Sequence, residues 1–253
     1  MYRPESKFLK AALAAAACVC AVVSQASAAI IDLTPQGGNG TVSSAVSLAS
    51  LLADPTGSVT VGDKVFTGFG YSGTNDMPAA ANVNVLGLKD ADGNWGLRFQ
   101  GAFQDQPGDG ASDAHISFMV EVPAAQAAQG WRITDAHLAI NGAATGGDDS
   151  YFIVDETLSN GQALEAYVTT LGPGNVLQSQ LTDEVIFAPV TKLNVVKDIL
   201  AEAASGNFLP ARGTVIDQSF SQELIPEPTS ITLLGLSGLA MVGVARRRGV
   251  ATA

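Results

Sequence analysis

Hydrophobic and polar residues alternate in short segments through the middle of the chain. Residues 95–103 and 115–122 both carry large apolar side chains at nearly every second position. Successive side chains of a strand point to opposite faces, so this period of two predicts strands with one buried face. Gly, Asn and Asp separate the segments and predict tight turns between them.

Eleven segments are predicted as strands on this pattern. They cover residues 59–61, 65–71, 83–88, 95–103, 115–122, 131–140, 151–156, 164–169, 185–187, 191–199 and 214–220. Long helical segments do not alternate with them, which argues against a parallel α/β sheet. The pattern predicts an all-β fold, an antiparallel β-sandwich of the jelly-roll or Ig-like type around one hydrophobic core.

One early segment has a different spacing. Residues Ser43–Ala53 read SSAVSLASLLA and are followed by Asp54 and Pro55. The apolar residues do not alternate regularly there, and the Asp-Pro pair is a typical stop signal for a helix. We predict one short helix over this segment.

The first 28 residues have the three parts of a secretory signal peptide. A basic leader precedes the apolar residues 11–23, and Ala26 and Ala28 form a small-x-small cleavage site. We predict that the segment is removed after Ala28. An uncleaved membrane anchor is the alternative, which the short Ala-rich span and the cleavage site disfavour.

The C-terminus has the pattern of a membrane span. Residues 229–245 are 17 positions without a charge, and Arg246, Arg247 and Arg248 follow directly. As a helix this segment is roughly 25 Å long, the short limit for crossing a bilayer. The arginines hold that end on the cytoplasmic side. A buried core helix is the alternative, although such a helix rarely ends in three consecutive arginines.

A Pro-Glu-Pro triplet, Pro226, Glu227 and Pro228, stands directly before this span. The triplet, the apolar span and the Arg cluster, in this order and position, resemble the PEP-CTERM sorting signal. The resemblance implies processing by an exosortase, a membrane enzyme of Gram-negative bacteria that removes the tail near the triplet. It also implies an association with exopolysaccharide and biofilm.

Three segments follow from these features. They are a signal peptide (1–28), an extracytoplasmic β-sandwich domain (29–225) and the sorting signal (226–253). The expected processing partners are signal peptidase and exosortase, and the inner membrane is a transient partner through the C-terminal helix. The expected location is an inner-membrane-anchored precursor, then the cell surface or the extracellular space.

The charge of the central region limits its partners. Of 24 acidic and 13 basic residues, two acids and six bases lie in the terminal segments, so residues 29–226 have 22 acids, 7 bases and a net charge of −15. Such a domain repels nucleic acid and anionic membranes. Both cysteines, Cys18 and Cys20, lie in the signal peptide, so we expect no disulfide in the mature domain.

One acidic turn has the beginning of a calcium-binding loop. Asp90, Asp92 and Asn94 place oxygen atoms at alternate positions, which makes them the candidate Ca²⁺ ligands. Gly93 comes too early for an EF-hand, and Gly101 occupies the position where that loop needs a bidentate Glu. A hairpin turn between two strands is the favoured alternative. No other cofactor is predicted.

Other chemistry is weakly indicated. A zinc site would need both histidines, His115 and His137, together with a carboxylate. No G-x-S-x-G motif is present, and no carboxylate pair stands out for glycoside hydrolysis. Five aromatic residues are candidates for a sugar-stacking face, although the strand pattern favours core packing: Tyr71, Trp95, Trp131, Tyr151 and Tyr167.

These observations predict an exported, exosortase-processed surface or extracellular-matrix protein without catalytic activity. Two alternatives remain open. One is a carbohydrate-binding or adhesive module for the cell's own polysaccharide, and the other is a glycoside-active enzyme.

Overall fold

Two curled β-sheets stack face to face in this protein. Its computed structural model describes residues 29–108, 110–144, 149–172, 176–204 and 209–226. Strands are numbered in chain order. Sheet A has the spatial order β1 (Ile30–Asp32), β3 (Ser58–Val61), β4 (Lys64–Gly73), β7 (Ser112–Glu121), β13 (Lys192–Glu202), β9 (Tyr151–Leu158), β10 (Ala163–Leu171) and β11 (Val176–Gln180). Sheet B has the order β12 (Thr182–Val190), β8 (Trp131–Ala143), β14 (Ala211–Phe220), β6 (Trp95–Asp105), β5 (Asn84–Lys89) and β2 (Thr41–Ser47), and β15 (Gln222–Leu224) also pairs with β8.

The predicted all-β sandwich is confirmed, and each of the eleven predicted strands is present. Four further strands, β1, β2, β11 and β15, were not predicted. Strands β1, β11 and β15 are short, and the five residues of β11 are all exposed. These three strands therefore have no buried face that would produce an alternating pattern. Among the described strand pairs only β1 and β3 run parallel, whereas the prediction was purely antiparallel.

The predicted helix over Ser43–Ala53 is only half right. Its first part continues strand β2, because residues 45–47 pair with 84–86 of β5. The helix α1 is restricted to Leu48–Leu52, and the Ser47 hydroxyl caps it by accepting a bond from Ser50 N. Tertiary pairing thus overrides the local preference of the segment. A second helical turn, α2 (Ala124–Ala127), and a 3-10 helix (Ala80–Asn82) were not predicted.

The core lies between the two sheets. Phe66 and Phe118 from sheet A meet Phe99 and Phe220 from sheet B, with ring centroids 5.7–6.4 Å apart in the contacting pairs. All four are buried. Tilted ring pairs at this spacing pack favourably beyond the area that they bury. The inward faces of both sheets are therefore fixed, and their outward faces are available for ligands.

The two terminal segments lie outside the described residues. The predicted signal peptide, the span at 229–245 and the arginine cluster all belong to these segments. Among the residues that are described, no helix has the length and apolar character needed to span a bilayer.

Candidate ligand-binding cleft

A cleft of about 650 Å³ lies on the outward face of sheet B. Strands β8, β14 and β6 contribute His137, Asp217 and Arg98 to it, while the β5–β6 turn contributes Asp90 and β12 contributes Glu184. Alternation places these side chains outward, because their neighbours along each strand point into the core. The cleft brings together charges from five strands or turns that are distant in sequence.

The β5–β6 turn forms one wall of the cleft. The carboxylate of Asp90 accepts bonds from Asp92 N (3.0 Å), Asn94 N (2.8 Å), Asn94 Nδ2 (3.2 Å) and Ser219 Oγ (2.6 Å). Gly93 completes the turn with a φ of 97°. The three candidate Ca²⁺ ligands thus lie in a hairpin turn, where Asp90 and Asn94 hold the backbone. Calcium binding by this turn stays a prediction.

An ion pair crosses the floor of the cleft. Arg98 Nε and Nη2 donate to the two carboxylate oxygens of Asp217, each at 2.7 Å. The two residues are direct neighbours across β6 and β14. The bonds that Arg98 donates to Asp217 raise the pKa of the guanidinium further, so it keeps its charge. This two-point geometry fixes both groups and leaves their outer edges pointing to solvent.

His137 lies between two carboxylates at the other side of the cleft. Its Nε2 is 3.1 Å from Asp135 Oδ1, and its Nδ1 is 3.5 Å from Glu184 Oε2. The bond to Asp135 raises the pKa of His137. Burial works to raise the pKa of Asp135, but the bonds that it accepts from His137 and Ser221 outweigh burial and lower it. The arrangement stabilises the protonated imidazole.

A catalytic serine arrangement is not formed here. Ser219 is the direct neighbour of His137 across β14 and β8, but its hydroxyl donates to Asp90. Both imidazole nitrogens face carboxylates, so neither is available to take a proton from the serine. The cleft therefore offers fixed donors and acceptors rather than an activated nucleophile.

A second cluster lies on the outward face of sheet A. His115 Nδ1 is 3.3 Å from Asp198 Oδ1 and 3.7 Å from Asp113 Oδ1, and one ligand atom from each residue lies within 4.8 Å of the others. These groups could hold a divalent cation. His115 and His137 lie on opposite sheets, so they do not come together in the joint zinc site that would need them both.

The five aromatic residues do not form one stacking face. Tyr71, Trp95 and Trp131 pack against the core as the strand pattern favoured, and Lys89 Nζ lies 5.0 Å above the Trp95 ring. Tyr151 and Tyr167 alternate with buried neighbours and lie on the outward face of sheet A.

Sequence reasoning missed Arg98, Asp217 and the grouping around His137. The sequence carried a weak signal for them, because each residue occupies an outward position of a strand whose inward face is apolar. Alternation places a residue on one face of its strand, but only the order of the strands brings these residues next to one another.

Comparisons with known proteins give one family match. The model of the PEP-CTERM protein-sorting motif matches residues 224–248. No curated protein matches the chain.

Two solved structures show limited similarity. TmCBM61, solved in complex with β-1,4-galactotriose, is 15% identical with a TM-score of 0.30, and the match covers 61% of this chain and 88% of that one. Arabinose-bound MgGH51 α-L-arabinofuranosidase is 12% identical with a TM-score of 0.22, and the match covers 77% of this chain and 28% of that one. Neither similarity is close enough to carry a function over to this chain.

The family match coincides with the features at the C-terminus. It spans the Pro-Glu-Pro triplet, the uncharged segment and the arginines. The chain therefore carries a PEP-CTERM protein-sorting motif, which marks proteins that are exported, anchored at the membrane and released to the cell surface after exosortase cleavage.

Proposed function

We propose that the folded domain is a non-catalytic binding module for neutral polysaccharide, which the sorting motif delivers to the cell surface. The cleft on sheet B is the observation that carries this proposal. Its volume of about 650 Å³ lies in the range of small-molecule sites and fits a short stretch of a sugar chain. The polymer that we propose is the exopolysaccharide of the same cell.

The polar groups of the cleft suit sugar hydroxyls. A hydroxyl both donates and accepts, and the cleft presents the guanidinium of Arg98 beside the carboxylates of Asp217 and Asp90. Arg98 and Asp217 are bonded to each other, and Asp90 is bonded to Ser219, so little side-chain entropy is lost when a ligand binds.

The charge of the domain favours a neutral polymer. Among the described residues that line the cleft, Arg98 is the only Lys or Arg. Five acidic side chains line it as well: Asp90, Asp92, Asp183, Glu184 and Asp217. The acidic cleft and the net negative charge of the whole domain repel a polymer that is rich in uronate or phosphate. The engaged Ser219 and His137 support binding without turnover.

Binding can be tested with a variant that fills the cleft. Ala139 lies on the outward face of β8 within the cleft, so Ala139→Trp occupies the space without removing a bond. Val196→Trp is the matched control, because Val196 is 46% exposed on the outward face of sheet A. The probes are the neutral polysaccharide fraction secreted by the producing cells and alginate, a polyuronate.

We expect the wild-type protein and Val196→Trp to bind the neutral fraction equally and Ala139→Trp to bind about tenfold more weakly or not at all. Alginate should not bind. Absence of wild-type binding, or equal binding by Ala139→Trp, would show that the cleft is not a polysaccharide site.

A further inference from the structure

Three polar side chains meet in the core between the sheets. Lys197 on β13 and Glu156 on β9 are direct neighbours across sheet A, and Gln218 on β14 faces them from sheet B. Lys197 and Gln218 have no exposed surface, and Glu156 is 1% exposed. Burial of an ion pair is costly unless every polar atom has a partner, so this cluster needs an explanation.

The bonding within the cluster is incomplete. Lys197 Nζ donates to Glu156 Oε2 and to Gln218 Oε1, the latter at 2.5 Å. Glu156 Oε1 and Gln218 Nε2 are buried without a hydrogen-bond partner. The Gln218 amide lies close enough to Glu156 to favour its ionised form, although the geometry is not that of a hydrogen bond. Two orphaned buried atoms are a substantial cost for a noncovalent arrangement.

Apolar side chains enclose the three groups. In sheet A, Ile116 flanks Lys197 and Leu164 flanks Glu156, while Leu97 and Leu138 flank Gln218 in sheet B. All four are at most 3% exposed. Burial lowers the pKa of Lys197 and raises that of Glu156, against their mutual attraction. Burial thus acts in the direction of a neutral amine and a carboxylic acid, and the neutral amine is the nucleophilic form of a lysine.

We propose that Lys197 and Gln218 are joined by an intramolecular isopeptide bond that Glu156 helps to form. The lone pair of the neutral Lys197 Nζ attacks Gln218 Cδ, which gives a tetrahedral intermediate. Glu156 accepts a proton from Nζ and donates a proton to the departing Gln218 nitrogen. The new Cδ–Nζ bond forms, the Cδ–Nε2 bond breaks, and ammonia leaves. Atoms and charges balance without an oxidant or a cofactor.

The reaction accounts for one of the two orphaned atoms. The orphaned Gln218 Nε2 departs as ammonia, and the buried amine of Lys197 becomes part of an amide. The remaining Nζ–H becomes an amide donor, for which Glu156 is the adjacent acceptor. The bond also links sheet A to sheet B in a domain whose residues 29–226 contain no cysteine. It would act as a disulfide does, but would resist reduction.

Peptide mapping of the full chain tests the proposal. The protein is purified from the producing cells, denatured and digested, and the peptides containing Lys197 and Gln218 are identified by mass spectrometry. We expect one branched peptide, lighter than the sum of its two parts by one ammonia. Separate unmodified peptides from the folded wild-type protein would overturn the proposal.

Three variants sharpen this result. Gln218→Met removes the amide at similar volume, and Glu156→Ala removes the proton carrier, so neither should give the branched peptide. Lys64→Arg is the matched control, because Lys64 is also buried but pairs with Asp63, and the branched peptide should persist. A branched peptide that forms equally in Glu156→Ala would contradict the role of Glu156.

Discussion

At the scale of single residues, the bond between Asp135 and His137 makes stability depend on pH. The pKa of His137 is raised above 6.5, so its contribution is fully present below that value and is lost as pH rises through the folded-state pKa. The pKa of Asp135 is lowered below 3.8, so its contribution is present above that value and is lost in stronger acid. Both contributions are present between about pH 4 and 6.5.

We therefore expect His137→Leu to destabilise the protein more at pH 5 than at pH 8.5, by about 1–2 kcal/mol. Urea unfolding at the two pH values measures the difference. In an Asp135→Asn background the effect of the same substitution should depend less on pH, because Glu184 remains beside His137. An equal loss at both pH values in the wild-type background would contradict the charged pair.

Gly62 is a residue whose identity the structure requires. Its φ is +58°, and a Cβ atom would lie 2.2 Å from the Trp95 ring. We expect Gly62→Ala to cost about 2–4 kcal/mol in unfolding free energy, from backbone strain together with overpacking. Gly161→Ala is the control, because Gly161 has a φ of +85° with no atom near the new Cβ, and should cost about 1 kcal/mol. Equal costs would show that the Trp95 contact is unimportant.

The alternation of inward and outward side chains was a usable signal for the buried cluster of Lys197, Glu156 and Gln218. Lys197 alternates with Val195 and Ile199, so the pattern alone places a lysine on the inward face. Glu156 and Gln218 break their inward rows in the same way. The meeting of all three could not be predicted, because it depends on which strands pair and how the sheets stack.

At the scale of elements, the last strand links the domain to the sorting motif. Strand β15 pairs with β8, and Ile225 N donates to Gly130 O at 2.9 Å. The motif match begins at residue 224, so it overlaps the folded domain without a linker. We expect the mature C-terminus to lie at or after Pro226, because an earlier cut would remove these bonds.

Mass spectrometry of the released protein identifies that terminus. A terminus before Pro226 would contradict the expectation. As a control, a chain ending at 226 should unfold at a higher temperature than one ending at 221, which lacks β15.

The short elements show where local patterns stop being informative. Residues 43–47 were predicted to be helical, yet they belong to strand β2, which pairs with β5. The long strands were predictable because one buried face imposes a strict alternation over many residues. Edge strand β11 has no such constraint, since all its residues are exposed.

At the scale of the whole molecule, the isopeptide bond would raise stability by restricting the unfolded chain. It closes a ring from Lys197 to Gln218, and a ring of about this size contributes about 3 kcal/mol. We expect Gln218→Met to melt about 6–12 °C below the wild-type protein. The melting temperature of Lys64→Arg should lie much closer to that of the wild-type protein. Equal melting temperatures of Gln218→Met and wild type would contradict a stabilising bond.

Fold class followed from the sequence, but topology did not. Alternation and turn signals were enough to predict a sandwich with one core. The order β4, β7, β13, β9 in sheet A joins strands that are far apart along the chain, so no local pattern specifies it. The cleft depends on the equivalent order in sheet B, which is why its residues were not grouped beforehand.

Amide chemical-shift mapping by NMR tests the proposed binding function most directly. Neutral oligosaccharides prepared from the polysaccharide of the producing cells are titrated into the isotopically labelled mature protein. We expect shifts concentrated at His137, Ala139 and Asp217 on sheet B, with none around His115 and Asp198 on sheet A. Shifts confined to sheet A, or no shifts at all, would contradict the assignment of the cleft as the ligand site.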